Sequence, residues 1–358
     1  GQRITDTVRL QSAARIRDDD VTAFTSKGVF LLAYGQGTAQ IETGSAGSVR
    51  WWPVRLGMAM KERIARLYTG DTAGFITAIL TGDKSALSTQ AAADLTEAGL
   101  YHVLAVSGMH CGFLLSLIRL LAGRHRRRLV AACAVGVLIL YALLTGASPS
   151  VVRACIMVVF VLAAPLFQRD SDPPTTLSAA LFLILLANPF AAASISLQLS
   201  FAAVAGILFL SPRLYRMLLG RRKRGKVFSF IAASFSATMG ALIFTVPLSA
   251  FYFGTLVLIS PVSNLLCLWA ATAVFIGAMM SVLVSIICWP LAMALGWIPG
   301  LLAQYILACA RVLAKVPGHA VYFANPYLPY WLVFAYLLFG LVWCLRRGRG
   351  RSYLLAGG

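Results

Sequence analysis

The sequence predicts a mainly α fold: a polytopic transmembrane helix bundle of about nine spans, preceded by a small extracellular β piece and by interfacial amphipathic helices. Three observations carry this prediction. Of the 358 residues, 59% are apolar and only 12% are charged, where a soluble domain is about one-quarter charged. Long apolar runs fill the chain from residue 99 onward. Basic clusters fall between those runs, as the positive-inside rule produces. With a mean hydropathy of +0.80, the chain is neither an ordinary cytosolic enzyme, nor disordered, nor a small disulfide scaffold.

Residues 1–50 read as a small β piece, a fragment of a larger β-barrel. Val8, Leu10 and Ala14 lead to a turn at Asp18-Asp19-Asp20, then Val29-Phe30-Leu31-Leu32 follows, and Gly44 to Ser48 ends the piece. Fifty residues make a marginal core. No signal peptide opens the chain, and a long polar region precedes the first span, so the sequence reads as a piece of something longer. Residues 51–98 turn helical. Leu56, Met60, Ile64 and Leu67 recur every three or four residues with Arg55, Lys61, Glu62, Arg63 and Arg66 between them. Trp51 and Trp52 at its start suit a helix lying in the membrane interface. Short helices are expected near 72–80 and 87–98, with Thr81-Gly82-Asp83-Lys84-Ser85 a turn and helix cap between them. Residues 99–358 form the transmembrane domain. Its expected spans are 100–121, 129–145, 149–167, 175–190, 195–212, 227–249, 256–284, 286–313 and 328–345. Trp289-Pro290 and Ile298-Pro299-Gly300 are candidate helix breaks.

The net charge of +19 suggests a nucleic-acid binder until it is located. Residues 1–98 hold 11 basic and 10 acidic side chains; residues 99–358 hold 20 basic ones and two acids, Asp170 and Asp172. Arg119 to Arg128, Arg213 to Lys226 and Arg346 to Arg351 are acid-free clusters after spans one, five and nine. All three are odd, which predicts one orientation throughout: residues 1–98 outside and the basic loops inside the membrane. The seven cysteines lie inside apolar runs with no CxxC pair, so packing is their expected role.

Costly polar groups concentrate in four segments. Tyr101 to Gly112 places His102, Ser107 and His110 among small residues that let another helix approach. Each histidine either bonds a neighbouring helix or lines a wet path. Ser148-Pro149 is a good cap pair, and Arg153 follows one turn into a span that offers no acid. It either snorkels or faces water or phosphate. Gln198 and Ser200 follow Asn188-Pro189, and Asn264 follows Pro261; each is interhelical glue or pore lining. No metal site and no cofactor is expected. Ala105-Val106-Ser107-Gly108 also suggests a membrane-embedded serine hydrolase, yet the remaining histidines, His125 and His319, fall outside the spans.

These segments together resemble the ComEC-type competence protein family of DNA-uptake channels. The resemblance runs in order through Leu80 to Asp83, Gly99 to Gly112, Leu144 to Arg153, Asn188-Pro189, Gln198 to Ala202 and Pro261 to Leu266. It implies a channel, not an enzyme, that passes single-stranded DNA into the cytoplasm during natural transformation. It further implies contact with membrane lipid, an extracellular DNA receptor and a cytoplasmic ATP-driven translocase, since the chain has no motor motif. On this reading His102, Ser107, His110, Arg153, Gln198 and Asn264 line the DNA path. Family members usually carry N-terminal spans, a complete β-barrel of the oligonucleotide-binding type, of which residues 1–50 would be a part, and a metallo-β-lactamase-like domain, whereas no His-x-His-x-Asp-His run occurs here. A carrier for a smaller anion is the remaining reading.

Overall fold

The computed structural model describes residues 2–16, 19–20, 24–36, 40–43, 52–104, 108–122, 127–146, 149–163, 172–219, 225–322, 327, 330–331 and 333–338. The N-terminal residues form nested antiparallel pairs. Strand β1 (Gln2–Thr5) pairs with β6 (Gln40–Thr43), β2 (Val8–Ser12) with β5 (Leu31–Gly35), and β3 (Arg15–Ile16) with β4 (Asp19–Asp20). The registers are Gln2↔Thr43 and Val8↔Gly35, so the arms of one long ribbon fold back together. The alternation seen in the sequence buries little. All of β2 is exposed, while Ala13, Thr25 and Ser26 are buried.

Helices α1 (Trp52–Leu67), α2 (Gly70–Thr81) and α3 (Thr89–Glu97) come next. Gly82, with φ +80°, closes α2 by donating its N–H to the Ala78 carbonyl, and Asp83 accepts from the Ser85 N–H. The expected turn is therefore a left-handed cap, where glycine avoids the Cβ clash. Ser88 caps α3 by accepting from the Ala91 N–H. α1 is amphipathic as its spacing predicts. Gly57, Met60 and Ile64 are covered by other helices, while Val54 and Met58 stay exposed.

The first expected span divides into a single turn, α4 (Tyr101–Leu104), and α5 (Gly108–Ala122). Then come α6 (Arg127–Leu144), α7 (Pro149–Ala163), α8 (Pro173–Ala187), α9 (Ile195–Phe209), α10 (Ser211–Leu219), α11 (Lys226–Phe253), α12 (Ser260–Val284) and α13 (Trp289–Leu313). Among the described residues four helical segments are long and apolar enough to cross a membrane: Ile195–Leu219, in which α9 runs on into α10, and α11, α12 and α13. Shorter apolar helices occupy Gly108–Ile118, Val130–Leu144, Val151–Leu162 and Pro173–Ala187. The expected ninth span and the loop at 221–224 fall largely or wholly outside the described residues.

Neither proline pair breaks α13. Pro290 occupies its first turn, where no N–H is needed, and the ring of Pro299 packs where a side chain on Gly277 of α12 would stand. A short pair, β7 (Thr255–Val257) with β8 (Ala320–Tyr322), joins the segment before α12 to the segment after α13. The main core gathers Ile64, Phe75, Ile79, Leu80, Phe275 and Ile306 from α1, α2, α12 and α13, with α5, α6 and α7 packed against it. α9 and α11 meet at Gly206 and Gly240, each standing against the other's main-chain carbonyl. This is the small-residue contact by which membrane helices approach closely.

Candidate functional site

Arg153 lies on α7, one turn from its start, and is 3% exposed. A guanidinium without water needs acceptors, and no acidic side chain is placed in this helix or its neighbour. Its Nη2 donates to the main-chain carbonyl of Ser196 at 2.9 Å, at the first turn of α9. This acceptor is a neutral carbonyl, which bonds a guanidinium N–H without cancelling its charge. Two residues along α9, Gln198 donates from Nε2 to the Ala192 carbonyl at 2.9 Å. Its Oε1 accepts the Tyr252 hydroxyl at 2.7 Å, which ties α9 to the end of α11. Arg153 and Gln198 therefore converge on the same helix start.

His110 is elsewhere. It is fully buried on α5, with its ring edge-on to Phe113 at 5.8 Å and to Phe275 of α12 at 5.4 Å. Tyr141 of α6 closes this aromatic cluster against Phe275. Gly108, near the start of α5, meets Ala154 of α7, so one helix contact separates His110 from Arg153. Asn264 forms a third location. Buried on α12, it donates from Nδ2 toward Thr238 Oγ1 of α11 at 3.4 Å, and its Oδ1 has no hydrogen-bond partner among the described residues. His102 is exposed on α4, its Nδ1 2.9 Å from the Gly99 carbonyl. Ser107 lies outside the described residues, as does Ser148.

The sequence reading passed over three residues of these contacts: Tyr252, Ser196 and Thr238. The signal for the last was present, because Ser234, Ser236 and Thr238 put three hydroxyls within one apolar run. Ser236 is fully buried and its Oγ has no partner among the described residues. Buried, unmatched hydroxyl and amide oxygens at a helix contact are places where a polar solute can replace lost water. Outside the spans, Lys61 of α1 pairs with Asp83, and Arg63 donates to the Ser285 carbonyl at 2.7 Å, at the end of α12. The Lys61 ammonium and the Ser85 groups hold the Asp83 carboxyl down at about 2. Among the described residues the six cysteines, Cys111 to Cys309, are free thiols. Among the described residues no group of three or more His, Cys, Asp or Glu side chains gathers to ligate a metal.

Comparison with known proteins places this helical region. The family model described as competence protein matches residues 79–349. ComE operon protein 3 of Bacillus subtilis (strain 168) is 29% identical over 201 residues, covering 55% of this chain and 24% of that protein. Competence protein ComA of Neisseria gonorrhoeae is 28% identical over 232 residues, covering 62% of this chain and 32% of that protein. The chain thus spans about a quarter to a third of the length of these curated relatives. No solved structure matches it.

Proposed function

Because the chain belongs to the competence protein family, we propose that its helical region, residues 99–358, is a conduit that passes single-stranded DNA across a bacterial cytoplasmic membrane during natural transformation. The observation that supports this most is Arg153, a cation buried among apolar helices whose Nη2 donates to the main-chain carbonyl of Ser196. A phosphate is a stronger acceptor for a guanidinium than a neutral carbonyl is. Opening of the contact between α7 and α9 hands Arg153 from the Ser196 carbonyl to a passing phosphate, and closure takes it back.

One arginine with neutral donors around it suits a moving polyanion better than a ring of fixed charges. Conduction needs binding strong enough to admit the strand and weak enough to let it leave. Gln198 sits beside Arg153 on this reading. His102, Ser107, His110 and Asn264 border the same route at other levels. The β piece faces outward, where a DNA receptor delivers the strand, and the basic loops face the cytoplasm, where an ATP-driven translocase draws it in.

The chain acts as a conduit and not as an enzyme. Removing it should abolish entry of fluorescent DNA into the cytoplasm while leaving DNA bound at the cell surface. The purified chain should leave DNA intact with magnesium, manganese or zinc present. DNA entry at the undiminished level without the chain would refute the assignment.

A further inference from the structure

The turn between α8 and α9 touches both the β piece and the residues that hold Arg153. Asn188 stands in extended conformation after α8, and its Oδ1 accepts the Phe190 N–H at 3.1 Å, fixing the 3-10 turn Pro189–Ala193. Its Nδ2 points the other way and donates to the Thr25 carbonyl of the β piece at 3.1 Å. Beside it, the rings of Phe30 and Phe190 meet edge-on at 6.1 Å. Thr25 and Ser26, in a 3-10 turn of this region, are buried, whereas β2 and most of β5 are exposed. The β piece is therefore seated through this contact.

The far side of the same turn carries the other partners. The Ala192 carbonyl accepts from Gln198, Gln198 accepts from Tyr252, and Ser196 accepts from Arg153. Pro189 restricts the backbone at the start of the turn, so a displacement at Asn188 is passed along instead of being absorbed.

We propose that the Asn188–Ala193 turn couples the β piece to Arg153: seating of the β piece on Asn188 and Phe190 holds the start of α9 where Ser196 retains Arg153, and lifting it loosens that hold. Asn188 is thus a positioning residue, and this role rests on the reading of Arg153 as part of the DNA path. Coupling of this kind is reciprocal. A strand that draws Arg153 away from Ser196 also weakens the seat of the β piece.

The test separates this link from the reading beneath it. Asn188→Asp keeps the Oδ1 cap on Phe190 and removes the donor to Thr25; Phe190→Ala removes the ring contact. Nitroxide labels at Val152→Cys and Ile195→Cys, in the full chain with its native cysteines replaced, report the distance between α7 and α9 by pulsed electron resonance. Both variants should lengthen or broaden that distance, whereas Asn264→Ala, at another helix contact, should not. DNA uptake should change several-fold in the same two variants. An unchanged distance in Asn188→Asp and Phe190→Ala overturns the coupling, as does equal broadening in all three variants. Broadening in the two variants alone, with Arg153→Ala at full uptake, supports the mechanical link and refutes the role of Arg153 in the path.

Discussion

Replacing Arg153 with alanine separates a transport role from a structural one, because the structure sets two opposing terms on stability. The substitution removes a charged donor bonded to the Ser196 carbonyl at 2.9 Å, an interaction worth about 1.5–3 kcal/mol. It also removes a buried cation from an apolar helix, whose insertion costs about 2.5–3.5 kcal/mol. These nearly cancel, so Arg153→Ala should reach the membrane at close to the normal amount. If the same bond is handed to phosphate during passage, its loss raises that barrier by about 1.5–3 kcal/mol, or about tenfold to a hundredfold in rate. Arg153→Lys keeps the charge without the planar fork and should retain part of the uptake. The assay is entry of labelled DNA, normalised to the protein found in the membrane fraction. Uptake at the normal level in Arg153→Ala, with equal abundance, refutes the reasoning.

Gly240→Ala should destabilise the pair α9 and α11 by about 1–3 kcal/mol, the cost of overpacking, because its Cβ would stand 2.8 Å from the Gly206 carbonyl oxygen. Thermal unfolding in detergent reads this, and an unchanged midpoint contradicts the close approach. Asp83, held at about 2 by Lys61 and Ser85, has a folded pKa below its unfolded value. Its contribution to stability is therefore full above about pH 4 and is lost as pH falls through about 2. Lys61→Met should flatten that dependence in melts run across the acid range; an identical slope removes the ion pair as its source. Single cysteines placed beside Ser45 and at Arg222 test the orientation. The first should react with an impermeant maleimide in intact cells and the second should not, and the reverse pattern inverts the topology.

What the sequence carried was local. The apolar runs marked the long helices because composition alone decides whether a helix can lie in lipid. The period of Leu56, Met60 and Ile64 marked α1, but no local pattern said that α6, α12 and α13 would cover it. Pro290 and Pro299 read as breaks, and both were accommodated, one by its place in the first turn and one by the space over Gly277. Arg153 was legible as an anomaly. Its acceptor was not, since any residue supplies a main-chain carbonyl and nothing in the identity of Ser196 announces it. Tyr252 was hidden for a similar reason: a tyrosine near a helix end is ordinary until Gln198 is seen across from it. The β strands were legible in outline, while their docking on Asn188 and Phe190 depended on residues far along the chain.

The seat of the N-terminal helices sets an order on biogenesis. α2, with 12 residues, is about 18 Å long and cannot cross a bilayer by itself. Yet Phe75, Ile76, Ile79 and Leu80 are all but fully covered, packed in one core with residues of α12 and α13. Arg63 reaches its acceptor on Ser285 across 222 residues of chain. At about 5–20 residues per second, the ribosome needs roughly 10–45 s to make that stretch. During this interval α2 has α1, α3 and α4 beside it but lacks α12 and α13, which complete its cover. Synthesis that stops before Ser285 therefore leaves a product whose first helices keep part of their apolar surface uncovered, the kind of intermediate an insertase or a membrane protease handles.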